Sequence, residues 1–383
     1  MQLARIIFST AAALAAALNL AVLPAAAETN AGLIKPLADK PFVATPVATF
    51  DQPWAIGFLP DGRMLVTEKP GRMYLTDAQG RKTAVGGVPK VAYAGQNGLL
   101  DVIAAPDYAT RRTIYFTYVE PATGGGSLVL ARATLDEGPA GASLKGLSAI
   151  WRQAYKGPGG QPGGIIAFAP DGRHLFLTVG DRMRPETAQD PDQPLGKVLR
   201  LNLDGSTPPD NPWAAQGGVR AQTWTTGHRN PYGLAFAPDG GLWMDEMGPM
   251  GGDELNLIVA GRNYGWPIVS NGDNYNGTPI PRHATRPEFE APVLYWTPVI
   301  APAGLAFYTG SMFPQWRGSA FIGGLRAQAL ARIVFDGKGG AAEADLWDMD
   351  RRIRDVAMAP DGALWVIEDS TEGRLLRLTP KKQ

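Results

Sequence analysis

The sequence predicts an all-β fold: a six-bladed β-propeller with four-stranded antiparallel blades and long loops on one face. Three observations carry this expectation. A short phrase recurs along the chain, its copies are spaced by about 60 residues, and 47 glycines with 33 prolines in 383 residues give a turn-rich composition without a collagen period.

The phrase is clearest in Phe58-Leu-Pro-Asp-Gly-Arg-Met-Leu-Val-Thr67, Phe168-Ala-Pro-Asp-Gly-Arg-His-Leu-Phe-Leu-Thr178, Phe236-Ala-Pro-Asp-Gly-Gly-Leu-Trp-Met244 and Met358-Ala-Pro-Asp-Gly-Ala-Leu-Trp-Val366. Each copy reads as a strand, a tight turn and a second alternating strand. Proline presets φ at the first turn position, aspartate caps the turn through its side chain, and glycine takes the positive-φ position. Weaker copies begin at Leu100 and Ala303, and third strands follow at Gly71-Arg-Met-Tyr-Leu75, Ala331-Arg-Ile-Val-Phe335 and Gly373-Arg-Leu-Leu-Arg-Leu378. With turns at Pro60, Pro106, Pro170, Pro238, about Pro314, and Pro360, a unit of roughly 40–60 residues is a propeller blade. A β-sandwich has no reason to repeat a phrase. The insertions at 119–164, 180–226 and 246–297 are therefore expected around the channel on one face, where function concentrates.

Residues 1–27 read as a secretory signal. Arg5 supplies the positive region, 6–23 the apolar stretch, and Ala25-Ala26-Ala27 the small-residue cleavage site. Residues 28–383 are then one exported domain, periplasmic or secreted, with no membrane span after cleavage. The balance of 36 Lys+Arg against 36 Asp+Glu removes the electrostatic case for nucleic acid, and the absence of cysteine removes disulfides, thiolate zinc sites and cysteine nucleophiles.

Candidate chemistry lies in the insertions. Of three histidines, His174 and His283 read as structural or exposed, while His228 opens the distinctive Gly227-His-Arg-Asn-Pro231. No histidine pair has metal spacing. Glu246-Met-Gly-Pro-Met-Gly-Gly-Asp-Glu254, with Asn263-Tyr-Gly-Trp266 and Asn271-Gly-Asp-Asn-Tyr275, offers carboxylates, amides and bare carbonyls that suit calcium or, equally, a solvated acidic turn. Arg229, Arg326, Arg352 and Arg354 lie beside blade-entry strands, and Arg352 and Arg354 alternate by two, so they share a side. Gathered at one channel end, such arginines would hold a polycarboxylate or phosphate ligand; otherwise they are ordinary surface charge. Gly157-Pro-Gly-Gly-Gln-Pro-Gly-Gly164 lacks the Lys-Ser/Thr ending of a phosphate loop.

From about Trp54 to Leu378 the chain resembles the soluble PQQ-dependent aldose sugar dehydrogenases of the glucose/sorbosone dehydrogenase family. The resemblance rests on Gly95-Gln-Asn-Gly-Leu-Leu-Asp101, Leu195-Gly-Lys-Val-Leu-Arg-Leu201, Gly227-His-Arg-Asn-Pro231, Gly251-Gly-Asp-Glu-Leu-Asn256, Asn263-Tyr-Gly-Trp-Pro267, Phe307-Tyr-Thr-Gly310 and Arg352-Ile-Arg-Asp-Val356. It implies that Gln96, Arg229, Asn230, Arg352 and Arg354 contact pyrroloquinoline quinone (PQQ), a tricarboxylic ortho-quinone suited to guanidinium and amide partners. It further implies that the carbonyls of Gly248 and Pro249 hold a calcium ion that polarises the quinone, and that Glu254 and Tyr264 belong to a second, structural calcium site.

The chain also departs from the family pattern. The family's general-base histidine is Gln161 here, and an amide takes up no proton near neutral pH. The family's lysine is Arg326, a hydroxyl residue expected near Pro298 is Val299, and the histidine after Glu246 is Met247. The resemblance implies oxidation of an aldose at its anomeric carbon to a lactone, weakened by Gln161, with electrons passed to a soluble acceptor. The alternatives are a non-catalytic propeller binding a ligand or protein on the same face, and a calcium-dependent lactonase, which would leave the arginines without a task.

Overall fold

The Pro-Asp-Gly phrases close hairpins by the expected chemistry. At the first, Gly62 N–H donates to Leu59 O at 3.0 Å, Asp61 Oδ1 accepts from Arg63 N–H at 3.0 Å, and Gly62 takes φ +85°. Asp171, Asp239 and Asp361 cap their turns in the same way, each accepting from the N–H two residues on. The side chain thereby satisfies a backbone donor that the tight turn leaves unpaired.

These hairpins grow into antiparallel meanders in a computed structural model that describes residues 28–381 apart from 140, 155, 156 and 158. The expected export signal, residues 1–27, lies outside the described residues. The first meander is Pro53–Phe58, Met64–Glu68, Arg72–Thr76 and Lys82–Gly86; the second is Leu99–Ala104, Thr113–Ala122, Gly125–Gly138 and Gly141–Arg152. Gly163–Phe168, His174–Val179, Lys197–Asn202 and Thr223–Thr226 follow, then Pro231–Phe236, Leu242–Glu246, Asp253–Leu257 and Leu294–Trp296. Next come Pro302–Phe307, Ala320–Gly324, Ala329–Phe335 and Ala341–Asp348. The last meander, Ile353–Met358, Leu364–Glu368 and Gly373–Pro380, is completed by Phe42–Phe50 from the other end of the chain, paired antiparallel to Gly373–Pro380.

The sequence predicts separate four-stranded antiparallel blades, and the sheets depart from this in two places. The outer strands Lys82–Gly86 and Gly141–Arg152 pair in parallel through Val85↔Ala142 and Gly86↔Ser143, which fuses two meanders into one eight-stranded sheet. Thr29–Asn30 adds a parallel fifth strand beside Leu294–Trp296. An unpaired strand edge is a row of open donors and acceptors, and these pairings cover it.

The architecture is nearly all β and propeller-like. The first strands of successive meanders pack side by side, and Ile353–Met358 returns against Pro53–Phe58, so the series closes on itself around a channel of about 390 Å3. Side chains tie each meander to the next. Thr67 and Thr117 donate to the carbonyls of Leu100 and Gly164, both at 2.6 Å. Asp101 accepts from Ile166 N–H at 2.7 Å, and Asp355 accepts from Ile56 N–H at 2.8 Å, bridging last to first. The core lies between the sheets. Phe50, Met64, Val66, Trp365, Ile367 and Leu375, all buried, seal the junction where the chain's ends meet, each large side chain contributing about 1.5–3 kcal/mol.

Candidate active site

In each hairpin the segment before the first strand and the segment after the second emerge at the same edge of the sheet. Gln161 precedes Gly163–Phe168, Arg229 and Asn230 precede Pro231–Phe236, residues 247–251 follow Leu242–Glu246, and Arg326 follows Ala320–Gly324. Antiparallel pairing therefore delivers residues far apart in sequence to one rim. They line a cavity of about 650 Å3 together with Gln96, Asp253, Tyr275 and the run from Thr297 to Val299.

Arg229 is the centre of this wall. Its Nη1 donates to Gly248 O at 2.7 Å and Met247 O at 3.0 Å, and its Nη2 donates to Tyr275 Oη at 3.2 Å. The guanidinium also lies over the rings of Trp266 at 5.3 Å and Tyr275 at 5.7 Å. All these partners are neutral, so the positive charge is oriented but not cancelled. The backbone N–H of Arg229 is fixed by Glu246 Oε2, while Glu246 Oε1 accepts from Asn256 Nδ2 and contacts His228 Nδ1 at 2.9 Å. His228, fully buried between Glu246 and Thr225, is thus part of the support for Arg229 rather than of the cavity wall.

Gln161 has a specific setting. Its backbone N–H donates to Gln96 Oε1 at 2.6 Å, and Gln96 Oε1 also accepts from Tyr232 Oη at 3.1 Å. With the amide oriented by its neighbours, Nε2 donates to Asp181 Oδ1 and Oε1 accepts from Arg229 Nη2 at 2.9 Å. Asp181, buried behind Gln161, accepts from Trp266 Nε1 at 2.8 Å and Met183 N–H at 2.9 Å. Burial pushes its carboxyl up to about 6 despite these donors and Arg229. Asn230 Oδ1, on the same wall, is buried without a hydrogen-bond partner among the described residues.

The arginines expected to converge do so only in part. Arg229 and Arg326 line the cavity; Arg352 and Arg354 do not. Both donate to Asp369 Oδ2, at 2.7 and 3.1 Å, and Arg354 lies over Trp54 at 4.3 Å and Tyr232 at 5.7 Å, at the mouth of the channel. Each stands one residue away from the cavity wall, Arg354 behind Tyr232 and Gln96, and Arg352 on Leu325 O beside Arg326. Alternation by two put them on one side as expected; the carboxylate of Asp369, from the next strand's end, draws them together there.

Gly248 and Pro249 line the cavity, with Gly248 N–H held by Asp253 Oδ1 at 2.9 Å. Glu254 and Tyr264 lie deeper. Glu254 borders a space of about 10 Å3, the size for one water or ion, with Glu246, Gly248, Gly252 and Ser270, and with the cationic Arg229 beside Met247, Trp266 and Val269. Burial, and then Glu246, raise its carboxyl. Tyr264 is absent from that lining: its hydroxyl joins Leu257 O at 2.5 Å and Val259 N–H at 3.0 Å, leaving its backbone carbonyl, which faces His283 Nε2 at 3.1 Å. Among the described residues no group of three or more His, Cys, Asp or Glu is placed to hold a metal by itself, and no helix is long and apolar enough to cross a membrane.

Sequence reasoning missed Asp181, Trp266 and Tyr275. The repeat gave no signal for Asp181: it stands two residues beyond the second strand His174–Val179, whose last position, held by an acid in Glu68, Glu246 and Glu368, is Val179 here. Trp266 and Tyr275 lay in segments read only for their oxygens.

Known proteins share this chain's sequence and fold over most of its length. The family model for glucose/sorbosone dehydrogenase matches residues 50–377. The chain is 39% identical to the aldose sugar dehydrogenase YliI of Escherichia coli K12 over 86% of its own length and 91% of that protein. A crystal structure of a glucose dehydrogenase superposes with TM-score 0.84 at 39% identity, covering 88% of this chain and all of that one. The PQQ-bound aldose sugar dehydrogenase of Streptomyces coelicolor superposes with TM-score 0.75 at 31% identity, covering 90% of this chain and all of that one. The chain belongs to the glucose/sorbosone dehydrogenase family and is an oxidoreductase of the aldose sugar dehydrogenase type.

Proposed function

We propose that this protein binds PQQ in the cavity beside Arg229 and oxidises an aldose at its anomeric carbon to the lactone, passing electrons to a soluble acceptor. The observation that carries the reading is the meeting of Gln96, Gln161, Arg229, Asn230 and Arg326 on one cavity. Its volume falls in the range of small-molecule sites, and its donors suit a planar polycarboxylate. An arginine held only by neutral groups is what a site awaiting an anionic ligand would present, and the unpartnered Asn230 Oδ1, an acceptor, calls for a donor on that ligand.

In this reading the cofactor supplies the two-electron acceptor, its ortho-quinone taking the hydride from the anomeric carbon. Arg229 binds and orients it, Gln96 and Asn230 supply amide contacts, and Arg326, Arg352 and Arg354 set a positive field for its carboxylates. Calcium would rest on the carbonyls of Gly248 and Pro249. These are two neutral oxygens, one already accepting from Arg229, against the six to eight that calcium takes. We therefore propose that it binds there only together with the cofactor, whose oxygens complete the shell. A second calcium fits the ion-sized space at Glu254, with Tyr264 contributing through its carbonyl at most. The six meanders are read as six blades of one propeller over residues 28–383, exported to the periplasm.

The hydroxyl proton of the sugar meets an amide at position 161 and must pass instead to another base, such as a bound hydroxide or a nearby carboxylate, so turnover is weak; losing a general base costs about 10²–10⁴ in rate. Binding of a ligand without turnover is the second reading, favoured by the way Gln161 is tied on both sides. The test is reconstitution with PQQ and calcium, titration of binding, and dye reduction with several aldoses. Binding with weak turnover, raised about 10²-fold or more by Gln161→His, supports the enzyme. Binding with no turnover in either protein leaves the ligand-binding reading, and no PQQ binding ends both cofactor assignments.

A further inference from the structure

We propose that Asp181 is a positioning residue that keeps the Gln161 amide oxygen turned toward Arg229, and that its protonation breaks this link, making the cavity's anion-binding wall pH-gated. The argument begins with what surrounds the carboxylate. Asp181 Oδ1 accepts from Met183 N–H at 2.9 Å and from the Gln161 amide nitrogen, and Oδ2 accepts from Trp266 Nε1 at 2.8 Å. Every neighbour is a donor. An ionised carboxylate satisfies them all; a carboxylic acid cannot, because its own O–H then points at another donor.

Only one of the three neighbours can answer by turning round. The Met183 N–H is backbone and the indole N–H of Trp266 has no acceptor to offer, whereas an amide can rotate and present its oxygen. That rotation would set the Gln161 nitrogen against the guanidinium of Arg229, where the oxygen now accepts at 2.9 and 3.3 Å. Whether Gln161 turns or withdraws, Arg229 loses the bond.

The response is confined to the side chain. The backbone N–H of Gln161 is held by Gln96 Oε1 at 2.6 Å, its carbonyl accepts from Arg182 N–H at 3.3 Å, and its φ is +43°. The fully buried Arg182 clamps the same loop, donating to Gly160 O at 3.0 Å and Asn97 Oδ1 at 2.8 Å. The other charged groups facing Asp181 are Arg229, which favours its ionised form, and Glu246, which opposes it. Burial outweighs them and brings the transition up to about 6.

Position 161 thus has a role that a proton acceptor does not fill: a neutral link that passes the state of a buried carboxyl to the cavity arginine. The inference uses the cofactor reading only for its ligand arm, so the two can fail separately. The first measurement needs no ligand: 15N–1H spectra of the Gln161 side-chain amide from pH 5 to 8, assigned with Gln161→Met. Wild type should show a shift centred near pH 6 that Asp181→Asn abolishes. The second is PQQ affinity over the same range, expected to fall about tenfold toward pH 5 in wild type and to stay level in Asp181→Asn and Gln161→Met. Amide signals indifferent to pH, or an affinity step that survives in Gln161→Met, would overturn the proposal, and the latter result remains decisive if Asp181→Asn does not fold. An amide transition without PQQ binding would retain the positioning role and remove the cofactor.

Discussion

The cavity and the channel are built from the same strands, one at their ends and the other along their middles, yet they satisfy buried carboxylates differently. In the channel wall, Asp101 accepts from Val102 and Ile166 N–H, and Asp355 from Val356 and Ile56 N–H. Burial raises the first to about 6 and the second to about 8. At the cavity, Asp181 is raised to a similar degree, but two of its partners are side chains, and one of them lines the space where a ligand would bind. A raised carboxyl is therefore not by itself a mark of function. Where its donors are backbone groups of the neighbouring meander it is a structural tie; where they are movable side chains at a rim it can affect binding.

The strongest way to break this contrast is through the arginines. Arg229→Ala should weaken PQQ binding by about 10²–10³, since a charge-assisted hydrogen bond contributes about 1.5–3 kcal/mol and more than one would be lost. Arg354→Ala, whose charge is shared with Asp369, should cost about tenfold. Equal losses by titration calorimetry, with melting temperatures as the folding control, would place both arginines in one site.

The channel carboxylates give the next largest effect. Asp355 is held protonated in the folded protein up to about pH 8, whereas in the unfolded chain it ionises near its ordinary value of 3.8. Its contribution is thus fully present at low pH and is lost as pH rises toward 8, with a slope on the order of 1 kcal/mol per pH unit. Asp355→Asn should flatten that decline in urea denaturation between pH 5 and 8, and an unchanged slope would show that Asp355 is ionised when folded.

Asp245 sharpens the contrast from within the fold. It stands opposite Gly233 as Thr67 stands opposite Ala55, but neither of its oxygens has a partner among the described residues. Burial, and the nearby Asp253, hold its carboxyl well above the usual range. Asp245→Thr would restore the hydroxyl that Thr67 and Thr117 use to reach the next meander, and should add about 1 kcal/mol at pH 8. A loss of stability would mean that the acid has a partner in solution. The smallest effect is Tyr275→Phe, which removes a neutral acceptor from Arg229 and should change PQQ affinity by about threefold.

Much of this was legible in the sequence. The Pro-Asp-Gly turns carry their own geometry, so the hairpins and their order could be read directly. Places beside blade-entry strands marked Arg229 and Arg326 as rim candidates, whereas Gln96, Gln161 and Asn230 were legible only through the family resemblance. The parallel seam at Val85↔Ala142 was not legible, because edge pairing depends on how two meanders lean. The capture of Arg352 and Arg354 by Asp369 was equally hidden, since it needs the closing strand in place. Nor could spacing show that Tyr264 would spend its hydroxyl on the backbone of Leu257 and Val259.

The pairing of Phe42–Phe50 with Gly373–Pro380 has a further consequence for how the molecule is made. The early segment has no strand to join until almost the whole polypeptide has been synthesised, so the ring stays open during translation. Contacts this distant in sequence form late and slowly, and until then the edges they will cover remain available to other chains. Trimming a few residues from the carboxyl end should therefore do more harm than trimming an internal loop tip, by leaving the circle with a gap.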